Sequence, residues 1–201
     1  MNTTTSQMET VNATSDKVLC TDYVDFGQHE HRFGRLSWSK IEKNGDNFLE
    51  VQLKCFRRCD GEDFERHQKL AMGEMDFRQL IQNRNRLAIA AAEFAKAENL
   101  THIKPPLYSR DYETQQTLAH KVVEAVNRSH RKIIITMLRY NVDDPNTAYA
   151  QVRLFTRRTL EDTFTQTAFV NYKLDEFVHL LNVIVSVADK VLDNQKLCSV
   201  L

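Results

Sequence analysis

Gln52, Lys54, Phe56 and Arg58 occupy alternate positions, and Gln151, Arg153, Phe155 and Arg157 repeat that order at a constant offset of 99 residues. Alternate side chains of a β-strand share one face. An amide, a cation, a ring and a second cation on one face form a plausible surface for single-stranded nucleic acid. The ring offers a base a stacking platform and the cations meet phosphates. Arg57 and Tyr149, which flank the two stripes, join the candidate binding set. The residues between them are apolar: Leu49, Val51, Leu53 and Cys55 in the first copy, and Ala148, Ala150, Val152 and Leu154 in the second. A repeated core face carries little information, because any apolar residue serves there. A repeated polar face carries more. The competing reading is an amphipathic strand whose long charged side chains lie over its own edge.

Other chemistries find less support. With five glycines the chain could hardly build several phosphate-cradling loops, and no nucleophile stands beside a base, so no enzyme is expected. His29 and His31, with Cys20, Cys55, Cys59 and His67, fit no zinc-ligand spacing, and Cys55 belongs to a core face. No metal or cofactor is expected. Asp60, Glu62, Asp63, Asp143 and Asp144 fall at turns, where acidic residues are ordinarily solvated. The last four residues, Cys198-Ser-Val-Leu201, match a prenylation box. A lone lipid anchors weakly, and no basic run lies beside Cys198. The end of a packed helix explains the same residues.

Composition sets the bounds. The 201 residues allow one large or two small domains, and 42% hydrophobic with 27% charged residues describes a soluble globular chain. Equal numbers of basic and acidic residues, 27 each, argue against strong non-specific duplex binding, which usually leaves a basic footprint. Residues 1–19 are polar and lack the apolar stretch of a signal peptide, so a disordered tail is expected. No run of apolar residues is long enough for a membrane span. Four cysteines without a secretory signal point to reduced thiols inside a cell.

The elements that carry the stripes follow from periodicity. Arg32 to Glu42 alternates, with Leu36 and Trp38 on one face and Arg35, Ser37 and Ser39 on the other; Asn44-Gly45 then turns the chain into the first stripe. A shorter strand from about Phe64 to Met72 leads to Gly73-Glu-Met-Asp, and acidic residues suit a helix start. Phe77, Leu80 and Ile81 open that helix, and Ala88 to Ala97 sustain it. Pro105-Pro106 marks a linker over residues 100–129, which is expected to contain a helix from Glu113 to Arg128 on a stripe of Leu118, Val122, Val123 and Val126. A second unit, residues 130–201, repeats the first, residues 20–99. It has strands at Arg131 to Tyr140, Ala148 to Arg158 and Thr163 to Tyr172, then a helix from Asp175. The expected fold class is α+β: two tandem units, each an antiparallel sheet followed by a helix, packed on each other.

Each unit resembles the single-stranded-DNA-binding domain of the transcriptional coactivator positive cofactor four and, more loosely, the Whirly fold. The resemblance rests on Val51-Gln-Leu-Lys-Cys-Phe56 with Met72-Gly-Glu-Met-Asp-Phe77-Arg-Gln-Leu80, and on Val152-Arg-Leu-Phe155 with Tyr172-Lys-Leu-Asp-Glu-Phe177-Val-His-Leu180. It covers Phe33 to Leu87 and Arg131 to Leu192. It implies a covalent pseudo-dimer with its helices at the centre and its strand faces outward. Two departures stand beside it: the family domain is strongly basic where this chain is neutral, and Arg57 and Thr156 replace a second ring after Phe56 and Phe155.

The expected function is that of a non-enzymatic single-stranded nucleic-acid-binding protein, DNA favoured over RNA, in replication, transcription or viral genome packaging. Nucleus or virion is the expected location, and self-association remains open. The alternatives are a scaffold or virion protein that uses the same fold for protein contacts, and a prenylated membrane-associated adaptor.

Overall fold

The computed structural model describes residues 16–58, 61–97, 101–103, 118–139 and 144–192. Residues 1–15, Cys59-Asp60, Pro105-Pro106, Asp143 and Cys198, on which several expectations fall, lie outside that set.

The described elements are β1 (Lys17–His29), β2 (Arg32–Lys43), β3 (Asp46–Arg57), β4 (Glu65–Gly73), α1 (Glu74–Lys96), β5 (Thr101–Ile103), β6 (Leu118–Asn127), β7 (Arg131–Arg139), β8 (Ala148–Thr156), β9 (Thr165–Lys173) and α2 (Leu174–Leu192), with a 3₁₀ turn at Pro145–Thr147. Sheet 1 has the order β1-β2-β3-β4 and sheet 2 the order β5-β6-β7-β8-β9; all paired neighbours are antiparallel. The architecture is α+β: two antiparallel sheets, each followed by a helix.

Within the expected helix from Glu113 to Arg128, the described residues 118–127 form a strand instead. Leu118 to Asn127 forms β6, the counterpart of β1, and hydrogen-bonds to β7. A bulge between Glu124 and Val126 lets the adjacent Ala125 and Val126 both face the core. That extra residue breaks the period of two and creates a chance helical spacing. The β-branched Val122, Val123 and Val126 suit an extended chain. Strand β1 also carries register shifts, at Val18/Cys20 and Phe26/His29, and its alternation is masked in the same way. β1 also takes in residues 17–19 of the expected tail.

The β2–β3 hairpin closes on Asn44 (φ 54°) and Gly45 (φ 83°), both left-handed, as a tight two-residue turn requires. Lys43 thereby pairs with Asp46, and the whole register follows. Gly34 is needed for close approach: a Cβ there would lie 2.3 Å from the Phe26 ring.

One apolar core serves both units. Leu36, Trp38, Val51, Leu53, Leu70 and Met72 from sheet 1 meet Ile133, Ile135, Val152 and Val170 from sheet 2, with Phe77, Leu80, Phe177 and Ile184 of the helices among them. Each such side chain contributes about 1.5–3 kcal/mol on burial. α1 packs on β6 of sheet 2, and α2 packs on β1 of sheet 1, so each helix reaches the other sheet. Phe26 of β1 contacts Tyr172 of β9, with ring centroids 5.4 Å apart. Arg139 of β7 donates to the carbonyls of Phe94, Ala95 and Ala97 and closes the end of α1.

Two polar links cross between the units at matching positions. Arg32 Nε lies 2.9 Å from Glu176 Oε1, and Arg32 Nη2 donates to the Asn171 carbonyl. Arg131 Nε lies 2.8 Å from Asp76 Oδ2, and Arg131 Nη2 donates to the Ala71 carbonyl. Both carboxylates also accept from the backbone N–H that precedes their own helix, Glu176 from Lys173 and Asp76 from Gly73. Each therefore satisfies an orphan donor at a helix start while binding a cation of the other unit.

Candidate nucleic-acid interface

The two stripes lie on the faces that the helices leave open. In β3, Val51, Leu53 and Cys55 are buried, while Gln52, Lys54 and Phe56 are half-buried on the opposite side. In β8, Ala148, Ala150, Val152 and Leu154 are buried, and Tyr149, Gln151, Arg153 and Phe155 are half-buried on the opposite side.

Cross-strand register builds the rest of the sheet 1 face. Phe33 stands opposite Phe56, Arg35 opposite Lys54, Lys69 opposite Lys54 on the other flank, and Arg66 opposite Phe56. The Phe33 and Phe56 rings are stacked, with centroids 4.7 Å apart and planes at 5°. Phe64 meets Phe33 edge-on at 5.0 Å. The Arg35 guanidinium lies 4.0 Å from the Tyr23 ring centroid and 5.1 Å from that of Phe56. It is held there by two bonds to the Asp25 carboxylate, of 2.6 and 2.9 Å, and the hydrogen bond to Asp25 raises its pKa. Lys54 is pushed below the usual lysine range, first by burial and then by Lys69, Arg66 and Arg35 around it. Glu50 offsets this in part, and a further anion would favour the charged form of Lys54.

The sheet 2 face shares the plan and differs in content. Val122 and Phe169, 53% and 38% exposed, occupy it with Ile134. Arg153 lies 5.5 Å from the Phe155 ring centroid and donates to Thr136 Oγ1; burial lowers its pKa. Lys132 is 3.7 Å from Glu124.

The remaining sequence candidates are placed differently. Arg58 follows the end of β3; its Nε donates to the Glu30 carbonyl at 2.7 Å, and its guanidinium covers Phe64 at 4.7 Å. Arg157 repeats this in the second unit: Nε donates to the Ser129 carbonyl, and the guanidinium covers Phe164 at 4.6 Å. Both cations thus tie a turn to a ring. Arg57 shares the parity of Cys55 and pairs with Arg32, so it turns away from the stripe, toward the other unit. Tyr149 ends the sheet 2 stripe opposite Lys173. Gln52 donates to Glu50. Cys55 is buried and lies 3.6 Å from Arg32 Nη2, and burial pushes its thiol up.

Tyr23, Phe33, Arg35, Phe64, Arg66 and Lys69 were absent from the sequence candidates. The signal for Phe33 and Arg35 was present, because a two-residue Asn-Gly turn fixes the pairing, and counting back from Lys43 and Asp46 puts them opposite Phe56 and Lys54. Among the described residues no three His, Cys, Asp or Glu side chains converge on a possible metal site, and no helix is long and apolar enough to cross a membrane. Compared with models of known protein families and with curated proteins, the chain gives no match.

Proposed function

We propose that the chain is a non-enzymatic single-stranded nucleic-acid-binding protein, with DNA favoured over RNA. On this reading its two units form a covalent pseudo-dimer. The reciprocal links Arg32–Glu176 and Arg131–Asp76 support the pairing, because an isologous interface uses the same positions twice. The observation that carries the function is the open face of sheet 1. There, four rings, Tyr23, Phe33, Phe56 and Phe64, adjoin Lys54, Lys69 and Arg66 in a chain of zero net charge. Rings beside unneutralised cations suit unstacked bases on a phosphate backbone. The roles that fit are replication, transcription or packaging of a genome, in a nucleus or a virion.

The test is fluorescence anisotropy with matched single-stranded and duplex oligonucleotides at two salt concentrations. Single strands should bind more tightly, with a log–log salt slope near −3 for about four phosphates. Equal affinity for duplex, or no binding at low salt, rejects the proposal. A second reading, a scaffold that uses sheet 2 for protein contacts, draws on the exposed Val122 and Phe169.

A further inference from the structure

We propose that one of the two seams between the units is a phosphate-binding crossing point, where a single strand passes from the open face of sheet 1 to that of sheet 2. The inference rests on the nucleic-acid reading above and adds the path.

Two neighbouring cavities mark the path. The first, about 300 Å³, begins at Phe33 and Phe64 on the sheet 1 face and runs to His29, Glu30 and Arg58. The second, about 560 Å³, shares those last three residues and ends at Tyr149 and Lys173, the last pair of the sheet 2 stripe. Arg57 lines the second cavity, which explains a cation that the stripe does not use. Cations outnumber carboxylates in the second cavity, where Glu30, 3.7 Å from His31, is the one acidic lining residue against Arg32, Arg57, Arg58 and Lys173. Arg32 is committed to Glu176, and His29 lies 3.7 Å from Asp175 and 3.5 Å from Glu176. Arg57 and Lys173 have no carboxylate partner among the described residues. A phosphodiester supplies the missing charge, and Tyr149 supplies a ring beside it.

The other seam is the control that the molecule itself provides. Register places Thr156 beside Arg131 where Arg57 stands beside Arg32, and Glu50 beside Gly73 where Tyr149 stands beside Lys173. Two cations and a ring at one seam are matched by a hydroxyl, a carboxylate and a glycine at the other. The backbone plan is repeated while the anion chemistry is not, so a strand has one favourable crossing.

The experiment compares wild type with Arg57→Thr/Lys173→Ala on two oligonucleotides, one of about six nucleotides for a single face and one of about 20 for both. Arg57→Thr installs the residue that the second unit already carries, and Arg57→Lys/Lys173→Arg restores charge. Joining two faces through one ligand raises affinity by about 10²–10⁴. The wild type should show that advantage for the longer strand. The double variant should lose at least about tenfold of it, keep its short-strand Kd and melt near wild type, and the charge-restored variant should recover. Failure of the wild type to bind either oligonucleotide removes the nucleic-acid reading and this crossing together. Binding of both, with the length advantage intact in the double variant, overturns the crossing alone. So does a melt in which inorganic phosphate stabilises wild type and not the double variant while the length advantage persists, since the cavity would then be a free-phosphate site.

Discussion

Where sheet 1 carries Arg35, sheet 2 carries Ile134; where it carries Lys69, sheet 2 carries Phe169; and Tyr23 is answered by Val122. Along the central strands of these faces the halves agree closely. Gln52 and Gln151, Phe56 and Phe155, and Arg58 and Arg157 recur, and the turn-tying arginines cover Phe64 and Phe164 at nearly equal distances. What repeats is the central strand of each face and the ties that hold its turns; what diverges is the outward side chains of the strands beside it. A duplicated fold keeps its framework because each buried link constrains several neighbours, while an exposed position is free to change. Sheet 1 therefore carries the larger group of cations, and sheet 2 shows Val122, Ile134 and Phe169 around Arg153, with Lys132 beside Glu124.

The largest effect should come from the shared framework. Arg32→Ala leaves Glu176, only 1% exposed, with no cation but His29. Removing one partner of a buried pair costs about 3–5 kcal/mol. Arg131→Ala should cost less, because Arg128 still donates to Asp76 at 3.0 Å. Denaturant unfolding measures both. Equal losses would show that Arg128 does not support the second link.

Next come the rings. Phe56→Ala and Phe155→Ala should each weaken single-strand binding by about 1–3 kcal/mol, the range for one base–aromatic stack. Their stabilities should differ. Phe56 is stacked on Phe33 and its loss forfeits about 0.5–1.5 kcal/mol of ring contact, whereas Phe155 has a guanidinium at 5.5 Å. Melts and binding curves on the same proteins separate the roles. Unchanged affinity with a large drop in melting temperature would make the stripes purely structural.

Salt dependence sharpens the contrast in charge. Lys54→Ala and Lys69→Ala should each flatten the log–log slope by about 0.7, as should Arg153→Ala, because each removes one phosphate contact. Phe169→Lys, which gives sheet 2 the cation of sheet 1, should steepen it by about the same amount. An unaltered slope in Phe169→Lys would place the strand on sheet 1 alone.

How much of this was legible in the sequence depends on local order. The stripes were, because strict alternation over six or more residues admits few other conformations, and burial follows that parity in β3 and β8. β6 was not, because the bulge at Glu124/Val126 counterfeits a helical spacing. The rings around Phe56 needed a register count through the Asn44-Gly45 turn. The crossing links were hidden for a different reason. Arg32 and Glu176 are far apart in sequence, and an arginine opening a strand or a carboxylate opening a helix is individually unremarkable. Only their joint recurrence as Arg131 and Asp76 marks them, and the sequence does not say which arginine meets which carboxylate.

The smallest expected effect distinguishes the two links by pH. Arg32 Nε with Glu176 Oε1 and Arg131 Nε with Asp76 Oδ2 are both close yet lack hydrogen-bond geometry, but Asp76 also receives a hydrogen bond from Arg128. Burial holds the Glu176 carboxyl above its usual range, and Arg32, the Lys173 amide and His29 pull it only partly back. Between its unfolded and folded values the folded protein therefore binds more protons than the unfolded chain. Stability from this group is complete below the unfolded value and is lost as pH rises through the folded one. Glu176→Gln cannot titrate. The stability of wild type relative to Glu176→Gln should therefore fall as pH rises from the ordinary carboxylate range toward neutrality. Asp22, whose carboxyl is lowered by its hydrogen bond to Lys190, runs in the opposite sense, but it is present in both proteins and cancels in the difference. Chemical denaturation of the pair across that window reads the slope directly. If the difference instead grows with pH, ionised Glu176 is favoured by Arg32, and that link acts as an ordinary ion pair without the second donor that Arg128 gives Asp76.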